Sequence, residues 1–398
     1  MPRFTVKLAA PAQEMAREEI LKQATFLSRD LRQVEFAADG QEISFEAPAA
    51  AGLALSVALE RLAMQIGRAL RKLERKVVLR TPEMERPLPE RVGPMPGVGF
   101  LGPGQAVLQG VALQLFHYFD AAFERMGGRW NAVPVRTPTL IPSRALAKCD
   151  YFRSFPQYVT FAAHLHEDGE AIERFRRRHE ALDDLDDGVA AELDRPEACL
   201  SPAVCYHIYH LHENTVLPRS GSVHGVCGKC FRYESGNMKD LRRLWDFTLR
   251  EIVFMGSRED VLAARDQTVA VMSDFLQEHR MAAEIRTASD PFFIAPDAVS
   301  KTFFQLSSDS KLEISVQLRG SERLAVGSHN YHSDFFGRVF NVEVEGAGTM
   351  QSVCVGFGLE RWVYGFIEQH GADPRRWPDP VRHALSSSVE GGGAGAGA

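Results

Sequence analysis

The sequence predicts an α+β protein: a small α+β module over residues 1–80, then a linker at 81–104 and a larger, sheet-based unit at 105–385. Three observations carry this. Residues 4–80 run through strand, helix, hairpin and long-helix patterns. Residues 230–251 read as two strands joined by a turn. Residues 353–368 pass from an apolar run, through Gly356 and Gly358, into a helical pattern.

In the module, residues 4–9 alternate apolar and polar side chains as a strand does. A helix is expected over 11–31, and the segments 34–37 and 42–45 flank Asp39-Gly40, a hairpin signal. Residues 49–76 form a long amphipathic helix carrying Leu53, Leu55, Val57, Leu59, Leu62 and Ile66, and 77–79 close with a short strand. The order is βαββαβ or close to it. The linker holds Pro82, Pro87, Pro89, Pro94, Pro96 and Pro103.

Beyond the linker, a helix is expected at 105–126, and an extended stretch at 129–142, whose Pro134, Pro138 and Pro142 suit a sheet edge. Residues 163–195 read as a charged helical insertion: Arg174, Arg176, Arg177 and Arg178 form a basic block, and an acidic run follows at 180–187. Charge around so much of a helix excludes it from a core, leaving a solvated helix or a docking surface for an acidic partner or a phosphate. Residues 257–280 predict a helix, 285–355 further strands, and 386–398, ending in glycine and alanine, a disordered tail.

Composition bounds the function. With 45% apolar and 25% charged residues the chain is an ordinary soluble protein, and its 398 residues suffice for a large core. A net charge of -6 argues against a chain-wide nucleic-acid surface. No uninterrupted apolar run approaches a membrane span and no signal-peptide pattern opens the chain, so the cytoplasm is expected. The six irregularly spaced cysteines suit reduced thiols or metal ligation better than a disulfide framework.

The 230–251 stretch concentrates the chemistry. Arg232 and Glu234 alternate on the outgoing strand, turn residues follow at 235–240, and Arg243, Phe247 and Glu251 return on one face. Guanidinium forks and a flat ring on one side suit a nucleoside triphosphate. Arg361 falls in the first turn of the helix after Gly358, where a helix start favours anions. Cys227-Gly-Lys-Cys230 has zinc-knuckle spacing but no second pair to complete a site. His207, His210 and His212 lie at mixed helical angles and cannot all face one ion.

These stretches resemble motifs 2 and 3 of class II aminoacyl-tRNA synthetases, and 129–142, with Gly128 and Pro138, resembles motif 1. The resemblance implies an antiparallel sheet flanked by helices and, through motif 1, a homodimer. Within the class, the run from Arg243 and Leu244 through Phe247 to Glu251 is similar to the seryl enzymes, as are Lys311-Leu-Glu313-Ile, Ser328-His-Asn330, Asp334-Phe335 and Arg338. An atypical zinc-dependent subgroup holds its ion with Cys, Glu and Cys from three separated strands, and Cys205, Glu251 and Cys354 match in order.

Two relatives share that arrangement: methanogen-type seryl-tRNA synthetases and amino acid:[carrier protein] ligases. The stretch Cys149 to Gln157, the charged insertion and Ser201-Pro-Ala-Val-Cys205 look more like the ligases, whereas an N-terminal module is a feature of the synthetase. The resemblance therefore implies a ligase that activates a small amino acid (Gly, Ala or Ser) with ATP and passes it to the phosphopantetheine thiol of a carrier protein. A tRNA-aminoacylating enzyme is the alternative, tRNA being the less expected acceptor, and a non-catalytic binding protein on the same fold is a third. By resemblance, Arg232 would hold the α-phosphate and the amino-acid carboxylate, and Arg243 and Arg361 the distal phosphates. Phe247 would stack on adenine beside Leu244, Glu234 would contact the nucleotide, Glu313 would bind Mg²⁺ and Asn330 the amino acid. One Zn²⁺ per subunit would sit on Cys205, Glu251 and Cys354, and Arg174, Arg176, Arg177 and Arg178 would meet the acidic carrier.

Overall fold

The computed structural model describes residues 1–70, 75–84, 93–180, 184–234, 238–290, 301, 305, 309–319 and 322–390. The Gly/Ala end at 391–398, Pro87, Pro89, Arg71 and Lys72, and the turn residues 235–237, lie outside them.

The N-terminal module consists of β1 (Arg3–Lys7), α1 (Glu14–Ala24), β2 (Arg32–Phe36), β3 (Glu42–Glu46) and α2 (Ala49–Leu70). Its sheet is antiparallel in the order β1-β3-β2. Ile20 of α1, Ile43 and Phe45 of β3, and Leu59, Leu62 and Ile66 of α2 are buried together as its core. Residues 49–68 are long and apolar enough to cross a membrane by length and composition. Here that helix packs one face into the module and exposes Leu53, Glu60 and Arg61 on the other.

The expected closing strand does not close the module. β4 (Val77–Arg80) pairs antiparallel with β14 (Ala283–Thr287) at the edge of the large sheet, so the module is βαββα. The reason is reach: 22 residues of α2 span roughly 33 Å at about 1.5 Å each, twice the length of a five-residue strand, and carry the chain past its own sheet. Thr81 Oγ1 then donates to the Met281 carbonyl at 2.7 Å and anchors the junction.

The end of the expected linker is also ordered. β5 (Val98–Gly102) and β6 (Gln105–Leu108) form a hairpin, and the helix α3 (Gly110–Gly128) starts five residues later than the sequence suggests. Gly104, at φ +69°, makes the turn that breaks the helical reading. Next come β7 (Val133–Arg136), β8 (Leu140–Pro142), α4 (Ser143–Lys148), α5 (Tyr151–Ser154), β9 (Phe161–Ala162), α6 (Gly169–Arg178), β10 (Ala198–Leu200) and α7 (Cys205–Leu211). β11 (Val216–Leu217), β12 (Ser222–Phe231), β13 (Asp246–Gly256) and α8 (Arg258–Glu278) precede β14. The chain ends through β15 (Lys311–Gln317), β16 (Arg323–Tyr331), α9 (Phe335–Phe340), β17 (Glu343–Val344), β18 (Gly348–Thr349), β19 (Gln351–Gly358), α10 (Leu359–His370) and α11 (Asp379–Glu390). The tail expected from 386 is thus helical to Glu390.

The main path of the large sheet runs β4-β14-β15-β16-β19-β13-β12-β7, antiparallel along it except for the last, parallel pair; off this path the β5–β6 hairpin joins through a parallel pairing of β6 with β13. β7, with Pro134, ends that path, where the missing N–H costs no ladder bond. Helices α3, α8 and α10 cover one face: Phe119 and Phe123, Phe275, and Trp362 and Phe366 pack together, and Phe123 stacks on Phe357 at 4.0 Å and 10°. The other face carries a second apolar cluster, in which Tyr209 of α7 stacks on Phe336 of α9 at 4.1 Å. Between that cluster and the sheet the structure leaves a cleft.

Candidate active site

The cleft face is set by strand alternation and register. On β13, Phe247, Leu249, Glu251 and Val253 point one way, while Arg250, Ile252 and Phe254 point toward the helices. The ladder places Glu313 opposite Ser328, Ser328 opposite Gly356, and Gly356 opposite Glu251. One residue pair further, Lys311 faces Asn330, Asn330 faces Cys354, and Cys354 faces Val253. Residues distant in sequence therefore line one cavity of about 280 Å³, near the lower end of small-molecule sites. Gly356 presents no side chain between the two rows; a Cβ there would stand 3.5 Å from Glu251.

At one end of the cavity Cys205, Glu251 and Cys354 are buried with one ligand atom each, all within 4.8 Å of one another. Cys205 comes from the first residue of α7, not from a strand, so the expectation of three strands is corrected to two strands and a helix start. Burial and the adjacent Cys354 push the Glu251 carboxyl up to about 8. The Cys205 thiol hydrogen-bonds to Cys354, which holds the Cys354 thiol below the usual range and raises that of Cys205. Among the described residues, Glu251 Oε2 is buried without a hydrogen-bond partner. Two sulfurs and an unsatisfied carboxylate oxygen are the donor set of a borderline-soft divalent cation with an open position. Asn330 Nδ2 reaches Cys354 Sγ at 3.5 Å and His332 Nε2 lies 3.8 Å from it.

Arg232, Glu234, Phe247 and Arg361, which the resemblance assigns to the nucleotide, line the same cavity. The hairpin strands stop at Phe231 and restart at Asp246, so Arg232, Glu234 and Arg243 lie in the connecting loop and not on the strands the spacing predicts. Arg232 N still donates across the hairpin to the Trp245 carbonyl at 3.0 Å, while on the outer edge Phe231 N and Tyr233 N donate to the Ser201 and Tyr158 carbonyls at 2.9 and 3.3 Å; regular pairing ends there. The loop nevertheless brings Arg232 and Glu234 into the cleft lining, with Arg243 outside the lining and held to Glu234. Arg232 Nε donates to the Pro202 carbonyl at 3.0 Å, and its guanidinium lies 5.4 Å from the Phe247 ring centroid. Arg243 Nη1 donates to Glu234 Oε2 at 2.6 Å. Leu244 is buried in the adjoining wall.

Arg361 is in the first turn of α10, as its position after Gly358 suggests, with Nε donating to the Arg242 carbonyl at 2.8 Å. Burial lowers its basicity. Its neighbour Glu360 accepts from Thr248 N and Oγ1 at 2.8 and 2.9 Å, tying the helix start to β13.

Some lining residues have no sequence signal. Asp290 pairs with Lys311 and accepts from Gln305 Nε2 at 2.7 Å. Burial opposes its ionisation, and the Lys311 ammonium outweighs that and lowers its carboxyl. Tyr151, Tyr158 and Tyr206 form an aromatic wall. They lie on segments before β12, and only the fold of the second cluster brings them to the cleft.

The other candidates fall elsewhere. Cys227 and Cys230, three apart on β12, point to opposite faces, and no metal group forms around them among the described residues. His207, His210 and His212 share no ion site among the described residues either; His212 Nε2 instead meets His224 Nε2 at 3.2 Å. The basic block lies on α6, away from the cleft lining, and pairs locally: Arg174 with Glu192, Arg176 with Glu173 and Glu180, Arg177 with Glu173, Arg178 with Asp186.

Comparison with known proteins reads this geometry. No known family profile matches the chain. The amino acid–[acyl-carrier-protein] ligase 1 of Bradyrhizobium diazoefficiens is 30% identical over 253 residues, 63% of this chain and 76% of that protein. The chain belongs to this ligase family. Ligase 2 of the same organism is 31% identical over 261 residues, 64% of this chain and 75% of that protein. The type-2 serine–tRNA ligase of Methanopyrus kandleri is 25% identical over 307 residues, 73% of this chain, and the chain spans 58% of its length. The solved structure of that organism's seryl enzyme with an A. aeolicus tRNASec superposes with a TM-score of 0.66 at 20% identity, over 98% of this chain and 78% of that one. The fold of this ligase-family chain is thus that of class II aminoacyl-tRNA synthetases, with the N-terminal module included in the overlap.

Proposed function

We propose that the chain activates a small amino acid, Gly, Ala or Ser, with ATP and transfers it to the phosphopantetheine thiol of a carrier protein. The observation that carries this is the meeting, in one cleft, of the Arg232–Phe247 pair and Arg361 with the Cys205, Glu251 and Cys354 cluster. Arg232 presents a fork to the amino-acid carboxylate and the α-phosphate, Phe247 offers a ring face for adenine, and Arg361 and Arg243 hold the distal phosphates. Carboxylate attack at the α-phosphorus releases pyrophosphate and leaves an aminoacyl-adenylate; thiol attack on its carbonyl then releases AMP and leaves a thioester. Both steps place the demand on positioning and charge stabilisation, which fixed guanidinium groups supply.

Cys205, Glu251 and Cys354 would hold Zn²⁺, and when bound it supplies a Lewis-acid site for the substrate's α-amino group. Asn330, beside Cys354, orients the amino acid, and the 280 Å³ cavity limits its side chain. Glu313, Glu234 and Leu244 complete the nucleotide side, with Mg²⁺ on Glu313. Arg174, Arg176, Arg177 and Arg178 face an acidic carrier, two copies of the chain pair through the β7 region, and the enzyme works in the cytoplasm.

A second reading is favoured by one observation, the overlap of the N-terminal module with a tRNA-bound seryl enzyme: tRNA as the acceptor. Labelled glycine, alanine and serine offered with ATP to holo-carrier protein and total tRNA in competition decide between them. Hydroxylamine-labile label on the carrier is expected; label on tRNA instead overturns the ligase reading.

A further inference from the structure

The N-terminal module reaches the rim of the cleft through one stripe of α1 and the turn after it. Glu18 Oε2 pairs with Arg75 Nη2 at 2.6 Å, and Glu18 Oε1 approaches Arg286 Nη2 at 3.9 Å. Arg286 stands directly across from Glu313 in the ladder between β14 and β15. Eight residues after Glu18, Phe26 meets Tyr158 edge to face, with centroids 5.7 Å apart and planes at 86°. Tyr158 is part of the aromatic wall of the cleft. Lys22 lies between these two contacts, four residues from each, and helical spacing puts it on the same side of α1 as Glu18.

Lys22 is half-buried, and among the described residues its ammonium makes no hydrogen bond or ion pair. The neighbouring cations Lys311, Arg286 and Arg75 have carboxylate partners, in Asp290, Glu284 and Glu18. A cation flanked by the module's contacts to the cleft strands and wall, and without an ion-pair partner of its own, is a ready site for an anion the resting protein lacks.

We propose that Lys22 is a phosphate-binding residue, supplied to the active-site cleft by the N-terminal module. Its ammonium receives phosphate oxygens above the strand pair that carries Arg286 and Glu313, and the contacts of Glu18 and Phe26 hold it there. The module is then part of the substrate site as well as an appendage that an acceptor could touch. This rests on the ATP-using reading above and deepens it. The triphosphate of ATP and the phosphate of a pantetheine arm offer the same kind of oxygens, and the experiment separates them.

Full-length protein and the variants Lys22→Met and Lys22→Arg are titrated calorimetrically with Mg·ATP and, separately, with 4′-phosphopantetheine. Lys22→Met is expected to weaken one of the two by about tenfold, the scale of one charge-assisted hydrogen bond, and Lys22→Arg to restore it to within about threefold. Loss in the Mg·ATP titration assigns the triphosphate; loss with 4′-phosphopantetheine alone assigns the phosphate of the pantetheine arm. Equal affinities of wild type and Lys22→Met for both ligands overturn the proposal and leave the cleft's ATP reading standing. Wild type that binds no Mg·ATP overturns that reading itself.

Discussion

The Arg232 guanidinium lies over the Phe247 ring, 5.4 Å from its centroid, although fourteen residues separate the two in sequence. Cys230 is the ladder partner of Phe247, so Arg232, two residues on, is delivered to the ring by the register itself. The Pro202 carbonyl then fixes the guanidinium from the opposite side.

That arrangement predicts separable losses. Arg232→Lys keeps the charge but loses the fork and the flat contact, and amino-acid-dependent ATP–pyrophosphate exchange should fall in kcat by about 10²-fold or more. Phe247→Ala removes a stacking face worth about 1–3 kcal/mol, so the KM for ATP should rise about tenfold or more while the KM for the amino acid stays nearly constant. Wild-type ATP kinetics in Phe247→Ala would make that ring a core residue only.

The cluster of Cys205, Glu251 and Cys354 predicts a metal content. Elemental analysis of the purified chain should give close to one zinc per chain. Cys354→Ser should lose most of it and Cys230→Ser should retain it, because Cys230 lies outside the cluster. Equal zinc in Cys354→Ser and wild type would place the ion elsewhere.

The basic helix predicts a modest effect. Arg177 is largely exposed and shares Glu173 with Arg176, so its field is already partly cancelled. Arg177→Glu should lower kcat/KM for the carrier by roughly fivefold, about 1 kcal/mol, and less at high salt. Pyrophosphate exchange, which needs no carrier, should not change. An unaltered transfer rate would leave α6 as a solvated helix.

Acid should weaken the fold through its buried histidines. Burial lowers His329 from 6.5 to about 4. The unfolded chain therefore binds the proton first: the contribution is complete above pH 6.5 and is lost as pH falls toward 4. At about 1.4 kcal/mol per pKa unit His329 accounts for about 3 kcal/mol. Urea unfolding at pH 7 and pH 5 should show wild-type stability falling between them and His329→Gln falling less. Parallel pH dependence of the two proteins would exclude His329 as a source.

Much was legible in one dimension. Alternation gave the cleft-facing side of β13, with Phe247 and Glu251 together, and Gly358 before Leu359 marked the helix start that holds Arg361. These are local signals, since a strand's two-residue period and a helix's first turn are properties of a few adjacent residues. Resemblance singled out Cys205, Glu251 and Cys354, which spacing alone could not join across about 150 positions.

What the chain's neighbours decide was not legible. The alternating pattern after Phe231 reads as strand, yet the hairpin pairing ends there and the outer edge is taken up by Tyr158, seventy-five positions before Tyr233. The pattern of β4 says strand but not which sheet, and the length of α2 settles that by carrying it to β14. The sequence by itself determined which residues carry charge, ring and sulfur, and which short segments are strands or helices. Only the tertiary structure decided that Asp290 pairs with Lys311, that three tyrosines wall the cleft, and that Glu18 and Phe26 bring the N-terminal module against it. Those relations are long-range contacts, and no periodicity within a segment encodes the partner that will pack against it.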